Sequence, residues 1–282
     1  MAWQSQLSTI HILIKGAGDL GTGVAWRLRR AGFPVLITEL AQPLVVRRTV
    51  AFASAVYDSA ITVEGITARR ADSFDDARDL LRDGIIPVLV DPETRARYFF
   101  MPRVLIDAVM AKRNTGTQIT DAPFVIALGP GLTPNVDCHA VIETNRGHNL
   151  GRVWWDRAAE TNTGAPGEIA GKRDERVLRA QRDGIVKERL EIGDFVERGQ
   201  VIAQVDDADV VAPFDGILRG LVHAGLRVNA GMKIGDVDAR AHRDACFTIS
   251  DKARAVGGGA LEAILAWMNE NKVSDSRFQI SE

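Results

Sequence analysis

The 282-residue chain is poor in cysteine, with only Cys138 and Cys246, and its aromatic content is 6%. Two thiols in different parts of the chain make no disulfide framework, and no CxxC pair is present for redox or zinc chemistry. Charge of one sign is also missing. Lys and Arg number 35 against 37 Asp and Glu, a formal net charge of −2, so neither nucleic acid nor an anionic membrane meets a general basic surface. No run approaches the ~20 apolar residues of a spanning helix, and the opening MAWQSQLST lacks the basic start of a signal peptide. These absences lead us to expect a cytoplasmic protein with reduced thiols and no nucleic-acid or membrane partner. A P-loop, a serine elbow and a paired-histidine zinc signature are absent too. Spacing therefore marks no nucleophile, and no metal is expected.

What is present begins at residues 10–32, IHILIKGAGDLGTGVAWRLRRAG. An apolar run leads into Gly16-x-Gly18-x-x-Gly21, after which Val24, Ala25, Leu28 and Ala31 fall at helical spacing. Strand, tight turn and helix are predicted. Gly16 permits the bend, Gly18 lets a pyrophosphate approach the backbone, Gly21 lets helix pack on strand, and the helix start offers N–H groups and a dipole to an anion. A second strand, 34–38, ends at Glu39, where a dinucleotide fold holds a ribose hydroxyl pair. The competing reading is a strand-to-helix crossover with no ligand.

Beyond Glu39, residues 45–55 fit helix or strand equally. Residues 60–71 read as a short β segment, 73–82 as a helix capped by Ser73, 85–91 as a buried strand, 104–114 as an amphipathic helix and 123–131 as another buried strand. Apolar strands alternating with helices argue a mainly parallel sheet covered on both faces. The fold class is therefore α/β, with a Rossmann-like nucleotide-binding domain over 1–150. A linker is expected over 151–176, and residues 246–282 are expected to carry a helix, at about 258–271, that packs back on a domain.

Residues 177–245 are expected to form a β domain with an internal duplication. An offset of 32 superposes 180–206 on 212–238, carrying Asp183 to Asp215, Gly184 to Gly216, Gly193 to Gly225, Val196 to Val228, Gly199 to Gly231 and Val205 to Val237. One unit could hardly bury its apolar face, so two should close on one core. The pattern looks like the barrel-sandwich hybrid of biotinyl and lipoyl carriers. Carriers place their modified lysine between the two halves; here that connection is DDADVV, 206–211, and Lys233 sits at the repeat position of Val201. No biotin or lipoyl attachment is expected.

Four clusters compete for chemistry beside the first turn. Gly129-Pro130-Gly131 ends a buried strand, where open α/β sheets bind ligands, or is only a turn. DCHAVIETNRGHN, 137–149, supplies His139 and Glu143 at a helical metal-ligand spacing if helical, a polar wall with Arg146 as a bidentate fork for phosphate or carboxylate, or satisfied structural groups. Arg47 and Arg48 balance phosphates or lie on a solvated face. Ser250, Asp251 and Lys252 precede three glycines read as opening a helix, an anion-binding layout or a hinge.

The segments KGAGDLGTGVAWRLRRAGF, RRTVAFASAVYD, VEGI, GTQITDAPFVIALGPGLTP, DCHAVIETNRGHNLGRV, NTGAPGEIAG, RVLRAQRDGI and FTISDKARAVGGGALEAIL together resemble the YqeB family, over about residues 10 to 268. That family is described as selenium-dependent molybdenum hydroxylase system proteins. The resemblance implies an accessory or maturation factor whose partner is a molybdenum hydroxylase client of the xanthine dehydrogenase kind. It implies no defined reaction and no selenium site. The candidate cofactors are NAD(P) or a molybdopterin dinucleotide, and the candidate cofactor-binding residues are Gly16, Gly18, Asp19, Gly21, Glu39, Arg47, Arg48, Gly129, Gly131 and Arg146. Two other functions stay open: an NAD(P)-dependent oxidoreductase of a small molecule, for which Glu39 favours NAD, and a docking protein whose glycine turn is vestigial.

Overall fold

The structure is a computed structural model that describes residues 7–161, 175–240 and 242–271. Half of the expected linker, 162–174, and the last part of 246–282 lie outside the described residues. The strands of the first half are β1 (Ile12–Lys15), β2 (Val35–Glu39), β3 (Ala60–Val63), β4 (Ile66–Ala71), β5 (Ile86–Val90), β6 (Val104–Asp107), β7 (Phe124–Leu128), β8 (Ala140–Ile142) and β9 (Val153–Trp154). They form one nine-stranded sheet in the order β3-β4-β5-β2-β1-β6-β7-β8-β9. All inner neighbours from β4 to β8 pair in parallel, and only the edge strands β3 and β9 are antiparallel.

Both faces of the sheet's centre are covered, which is why its central strands are buried and mainly apolar, while β4 towards one edge exposes Arg69 and Arg70. Side chains alternate across a strand, so Ile12 and Ile14 join one core while Leu13 joins the other. The first core includes Val24 and Leu28 of α1 (Asp19–Ala31), beyond which come the short α2 (Ala55–Asp58) and, against the opposite face, α3 (Phe74–Arg82). Ser73 caps α3, its Oγ accepting from the Asp76 N–H. The chain places β2 and β5 on one side of β1 and β6 and β7 on the other. Strand order therefore reverses at β1, the switch point where open α/β sheets leave a crevice.

Two expectations of local structure are corrected. Residues 104–114 are not a helix: Val104–Asp107 is a fully buried strand between β1 and β7, and Met110 and Lys112 then adopt φ of +59° and +62°. Four apolar or capped residues fit either periodicity, and sheet burial on both faces decided between them. The glycines at 257–259 do not open the last helix. After α4 (Ala96–Phe100), helix α5 runs over Asp251–Glu270, with Ser250 Oγ accepting from the Ala253 N–H. The glycines sit inside it because backbones meet there. A Cβ on Gly257 would lie 2.8 Å from the Gly23 carbonyl oxygen, and one on Gly23 2.7 Å from Ala253 Cβ. Residues 45–55 resolve into two 3-10 turns, Arg48–Val50 and Phe52–Ser54, ahead of α2.

The second half adds β10 (Val177–Arg179), β11 (Gly184–Glu188), β12 (Phe195–Val196), β13 (Val201–Val205), β14 (Ala208–Val211), β15 (Gly216–Leu221), β16 (Arg227–Val228) and β17 (Lys233–Asp238). They form two antiparallel four-stranded sheets, β10-β17-β15-β12 and β14-β13-β11-β16. The sequence offset reappears as exchanged hydrogen bonds. Asp183 accepts from Ala230 N–H and Asp215 from Arg198 N–H; Gly193 N–H donates to Leu218 and Gly225 N–H to Val186. Each unit closes the other, so the shared core of Val186, Val196, Leu218 and Val228 belongs to both. The molecule is thus a mixed α/β fold with a large, mostly parallel sheet, two added antiparallel sheets and a C-terminal helix.

Candidate functional site

The turn after β1 is built as its glycines require. Gly16 has φ +86°, a left-handed conformation that favours glycine, and a Cβ there would press on the Val109 backbone at 3.3 Å. At Gly21 a Cβ would come within 2.5 Å of the Gly16 carbonyl oxygen. Gly18 differs: its nearest neighbour to a Cβ is Val45 Cγ1 at 3.8 Å. It is the glycine with space in front of it. It also begins α1 without a side-chain cap, where the first N–H groups lack intrahelical partners.

That space is a cavity of about 590 Å3 at the C-terminal edge of the sheet, the loop cavity, lined by Gly16, Gly18, Asp19, Gly21 and Glu39 with apolar walls at Leu20, Leu44 and Val109. Glu39 already works in the turn: Oε1 accepts from the Ala17 N–H at 2.7 Å and Oε2 from the Leu40 N–H at 2.9 Å. Burial pushes its carboxyl above the ordinary range, against those two hydrogen bonds. Each oxygen has a second lone pair, so the group can hold the turn and still face a ligand.

A second cavity, of about 520 Å3, shares Gly18, Asp19 and Met110 with the first and runs between the parallel sheet, the start of α5 and the β module. This is the cationic cavity. Arg47 lines it at 8% exposure, donating to both Asp19 oxygens at 2.9 and 3.0 Å and to the carbonyls of Ala245 and Thr248. Arg146 grips Asp251 in a two-pronged bridge at 2.7 and 2.9 Å, which holds the Asp251 carboxyl well below the usual range. Arg176 pairs with Asp236 at 2.5 Å. Arg219, Lys233, Lys252 and Lys112 complete the basic lining.

The remaining candidates fall outside both cavities. Arg48 ion-pairs with Glu188 of β11 at 2.5 Å and ties the β module to the sheet. Gly129 and Gly131, at φ +69° and +119°, serve their turn: a Cβ would meet Thr144 Oγ1 and Arg113 N, each at 2.5 Å. Of the 137–149 cluster, Asn145 and Arg146 reach the cationic cavity. His139 and Glu143 flank strand β8 instead of a helix. His139 Nδ1 accepts from the Val125 N–H, and burial lowers its basicity. Fully buried Glu143 accepts from Thr144, Asn145 and Glu160 N–H groups and from Trp154 Nε1. Burial pushes the Cys138 thiol up to about 12, so it is no thiolate at neutral pH. Among the described residues no group of His, Cys, Asp and Glu is placed to hold a metal ion. None of their helices is long and apolar enough to cross a membrane.

The residues missed in the sequence are Arg176, Arg219 and Lys112. A signal existed for Arg219 and Lys233: at the offset of 32 they correspond to Lys187 and Val201, so the two copies differ where the second faces the cavity.

Fold and site together define an α/β protein with a glycine turn at its sheet switch point and two joined cavities. Over 259 residues the chain is 49% identical to YqeB of Escherichia coli (strain K12), a protein described as uncharacterized; the match takes in 92% of this chain and 48% of YqeB. The chain is thus similar to YqeB and spans about half the length of this curated relative. No protein-family model matches the chain. Among solved structures, the E. coli tRNA N6-threonylcarbamoyladenosine dehydratase TcdA is 13% identical, with 96% of this chain and 92% of that one covered at a TM-score of 0.37. An aspartoacylase family protein from Mesorhizobium loti is 12% identical, with 81% and 84% covered at 0.26. At such TM-scores neither likeness carries an argument.

Proposed function

We propose that the chain is a nucleotide-binding accessory factor of a molybdenum hydroxylase system, holding a nucleotide or the molybdopterin dinucleotide cofactor at its glycine turn and passing it to a client hydroxylase in the cytoplasm. One observation carries the nucleotide part: Gly18 begins α1 uncapped, with open space before it, at the strand-order reversal of a parallel sheet. The apolar loop cavity suits a base and ribose, and the adjoining cationic cavity suits phosphates. The molybdenum hydroxylase part rests on the resemblance to the YqeB family. We read the β module as a barrel-sandwich hybrid without an attached group, since the Asp206–Asp207 turn between β13 and β14 carries no lysine; in this reading it packs or docks.

The test is a thermal-shift panel of NAD, NADP, ATP, CTP and molybdopterin cytosine dinucleotide on the wild type, Gly18→Ala and Gly18→Val. A ligand at ~100 times its dissociation constant adds about 2.7 kcal/mol, which is several degrees for a chain of this size. A shift with one ligand, reduced in Gly18→Ala and gone in Gly18→Val, names the nucleotide. No shift with any of them leaves a docking protein with a vestigial turn.

A further inference from the structure

Among the described residues, the cationic cavity holds more positive charge than its lining carboxylates neutralise. Setting aside the Arg47–Asp19, Arg146–Asp251 and Arg176–Asp236 pairs, Lys112, Arg219, Lys233 and Lys252 face one remaining carboxylate, Glu160. Glu160 is itself engaged by the side-chain amides of Asn145 and Asn149. Arg219 is the informative member. It is only 9% exposed, its Nε has no hydrogen-bond partner, and its nearest carboxylate oxygen, Asp238 Oδ2, stands 3.8 Å away. Asp238 is meanwhile held by Arg240 at 2.6 Å. A buried cation without hydrogen bonds is costly unless something completes it.

Two helix starts converge on the same space. Gly18 and Asp19 of α1 line it together with Ser250 and Lys252 at the head of α5, and the two helices pack through Gly23, Ala253 and Gly257. Both helices therefore turn their positive ends to the cavity. The duplication adds an independent argument. Its first copy has the exposed Lys187 and the neutral Val201 where the second has Arg219 and Lys233. Position 187/219 is cationic in both copies, so the charge that the second copy adds at the cavity is that of Lys233. Desolvation first, and then neighbouring arginines, lower the basicity of Lys233 and Lys252, partly offset by Asp236 at the one and Asp19 at the other.

We propose that this cavity is a binding site for a pyrophosphate-class polyanion, built jointly by the glycine-turn helix, the C-terminal helix and the second copy of the β module. Arg219 and Lys233 contribute from the module and Lys252 from α5, while Lys112 covers the mouth. The polyanion is either the diphosphate of a ligand that also fills the loop cavity or the phosphoryl group of a second molecule. The site stands on its own geometry and does not need the nucleotide reading of the glycine turn.

The test is titration calorimetry of the full chain with inorganic pyrophosphate, for the wild type, Lys233→Gln, Lys252→Gln and Gly18→Val. Among the described residues neither lysine has a hydrogen-bond or ion-pair partner to lose, so both variants are expected to fold, with an unliganded melting temperature at or above that of wild type. Each is expected to weaken pyrophosphate binding about tenfold or more, the factor that one charge-assisted contact represents. Gly18 lines both cavities, so Gly18→Val is expected to weaken binding as well, by less than either lysine variant because it removes no charge. The idea is overturned if wild type does not bind pyrophosphate, or if Gly18→Val abolishes binding while the lysine variants keep it, which puts the anion at the glycine turn. Repeating the titration with a saturating nucleotide from the panel separates the sources: competition assigns the diphosphate to that ligand, and additive binding assigns a second phosphorylated molecule. Failure of the whole nucleotide panel with pyrophosphate binding intact refutes the nucleotide reading alone.

Discussion

The two cavities share Gly18 and Asp19 yet are put together differently. The loop cavity is local: its turn and α1 come from one continuous segment, 10–32, with Glu39 added by the next strand. The cationic cavity is assembled from far-separated pieces: the first turn, the segment at Arg47, the loop at Arg146, the β module and α5. The first offers backbone and apolar walls with the carboxylates of Asp19, Glu39 and Asp91 and the amine of Lys15, the second mainly side-chain cations. A local site of this kind is set by what a backbone can do, and an assembled one by which charges the packing forces together.

The comparison breaks most sharply at Gly21. Gly21→Ala drives a Cβ to 2.5 Å from the Gly16 carbonyl oxygen and 3.1 Å from Ala108 Cβ, overpacking worth about 3 kcal/mol and a fall in melting temperature of roughly 6–10 °C. Gly18→Ala, with only ordinary contact at 3.8 Å, should melt within about 2 °C of wild type. Differential scanning calorimetry of the pair checks this. Equal melting for the two variants would mean that the third glycine does not set the strand-to-helix packing.

Arg47 tests whether the cavities are one unit. Its guanidinium joins Asp19 of the glycine-turn helix to the carbonyls of Ala245 and Thr248 ahead of α5. Arg47→Met should cost about 2 kcal/mol in chemical denaturation, since it leaves a half-buried carboxylate and two carbonyls without their donor. Limited proteolysis should show earlier cleavage around 242–250. A variant as stable and as protected as wild type would separate the two cavities energetically.

The local site was legible and the assembled one was not. Gly16, Gly18 and Gly21 could be read because each position states a backbone need at a fixed spacing. The reading of Glu39 as a ribose acid missed that its oxygens are bound to Ala17 and Leu40 N–H groups, which follows from how tightly β2 ends against the turn. The helix expected over 104–114 failed because Val104–Asp107 is enclosed on both faces, and apolar spacing in so short a run does not separate the two periods. Arg219 and Lys112 stand in no motif, and Arg176 only opens the segment RVLRAQRDGI, which points to no ligand. Their role depends on which face of the duplicated module meets the parallel sheet, and only the departure of the second copy from the first hinted at it.

The smallest effect, and the sharpest contrast, lies in pH. Glu39 in the loop cavity is raised above 4.5 by burial, despite the Ala17 and Leu40 hydrogen bonds. The folded state then holds a proton that the unfolded chain has released, so this group's contribution falls as pH rises from 4.5 through its folded value. Asp251 at the cationic cavity is lowered from 3.8 by its Arg146 hydrogen bonds. There the contribution is present above 3.8 and is lost as pH falls through the folded value. Both partners are well exposed, so solvent screening keeps the second effect to a degree or so of melting temperature. Melting curves of Glu39→Gln and Asp251→Asn between pH 3 and 7 should therefore diverge from wild type with opposite trends. The Gln variant gains on wild type as pH climbs above 4.5, because an amide has no proton to lose. The Asn variant loses less than wild type below pH 3.8, where the unfolded chain takes up a proton that the bridged Asp251 of the folded state does not. Parallel curves for both would mean that the two carboxylates feel the same surroundings, and the difference between a dry backbone pocket and a crowded cationic one would not extend to their acids.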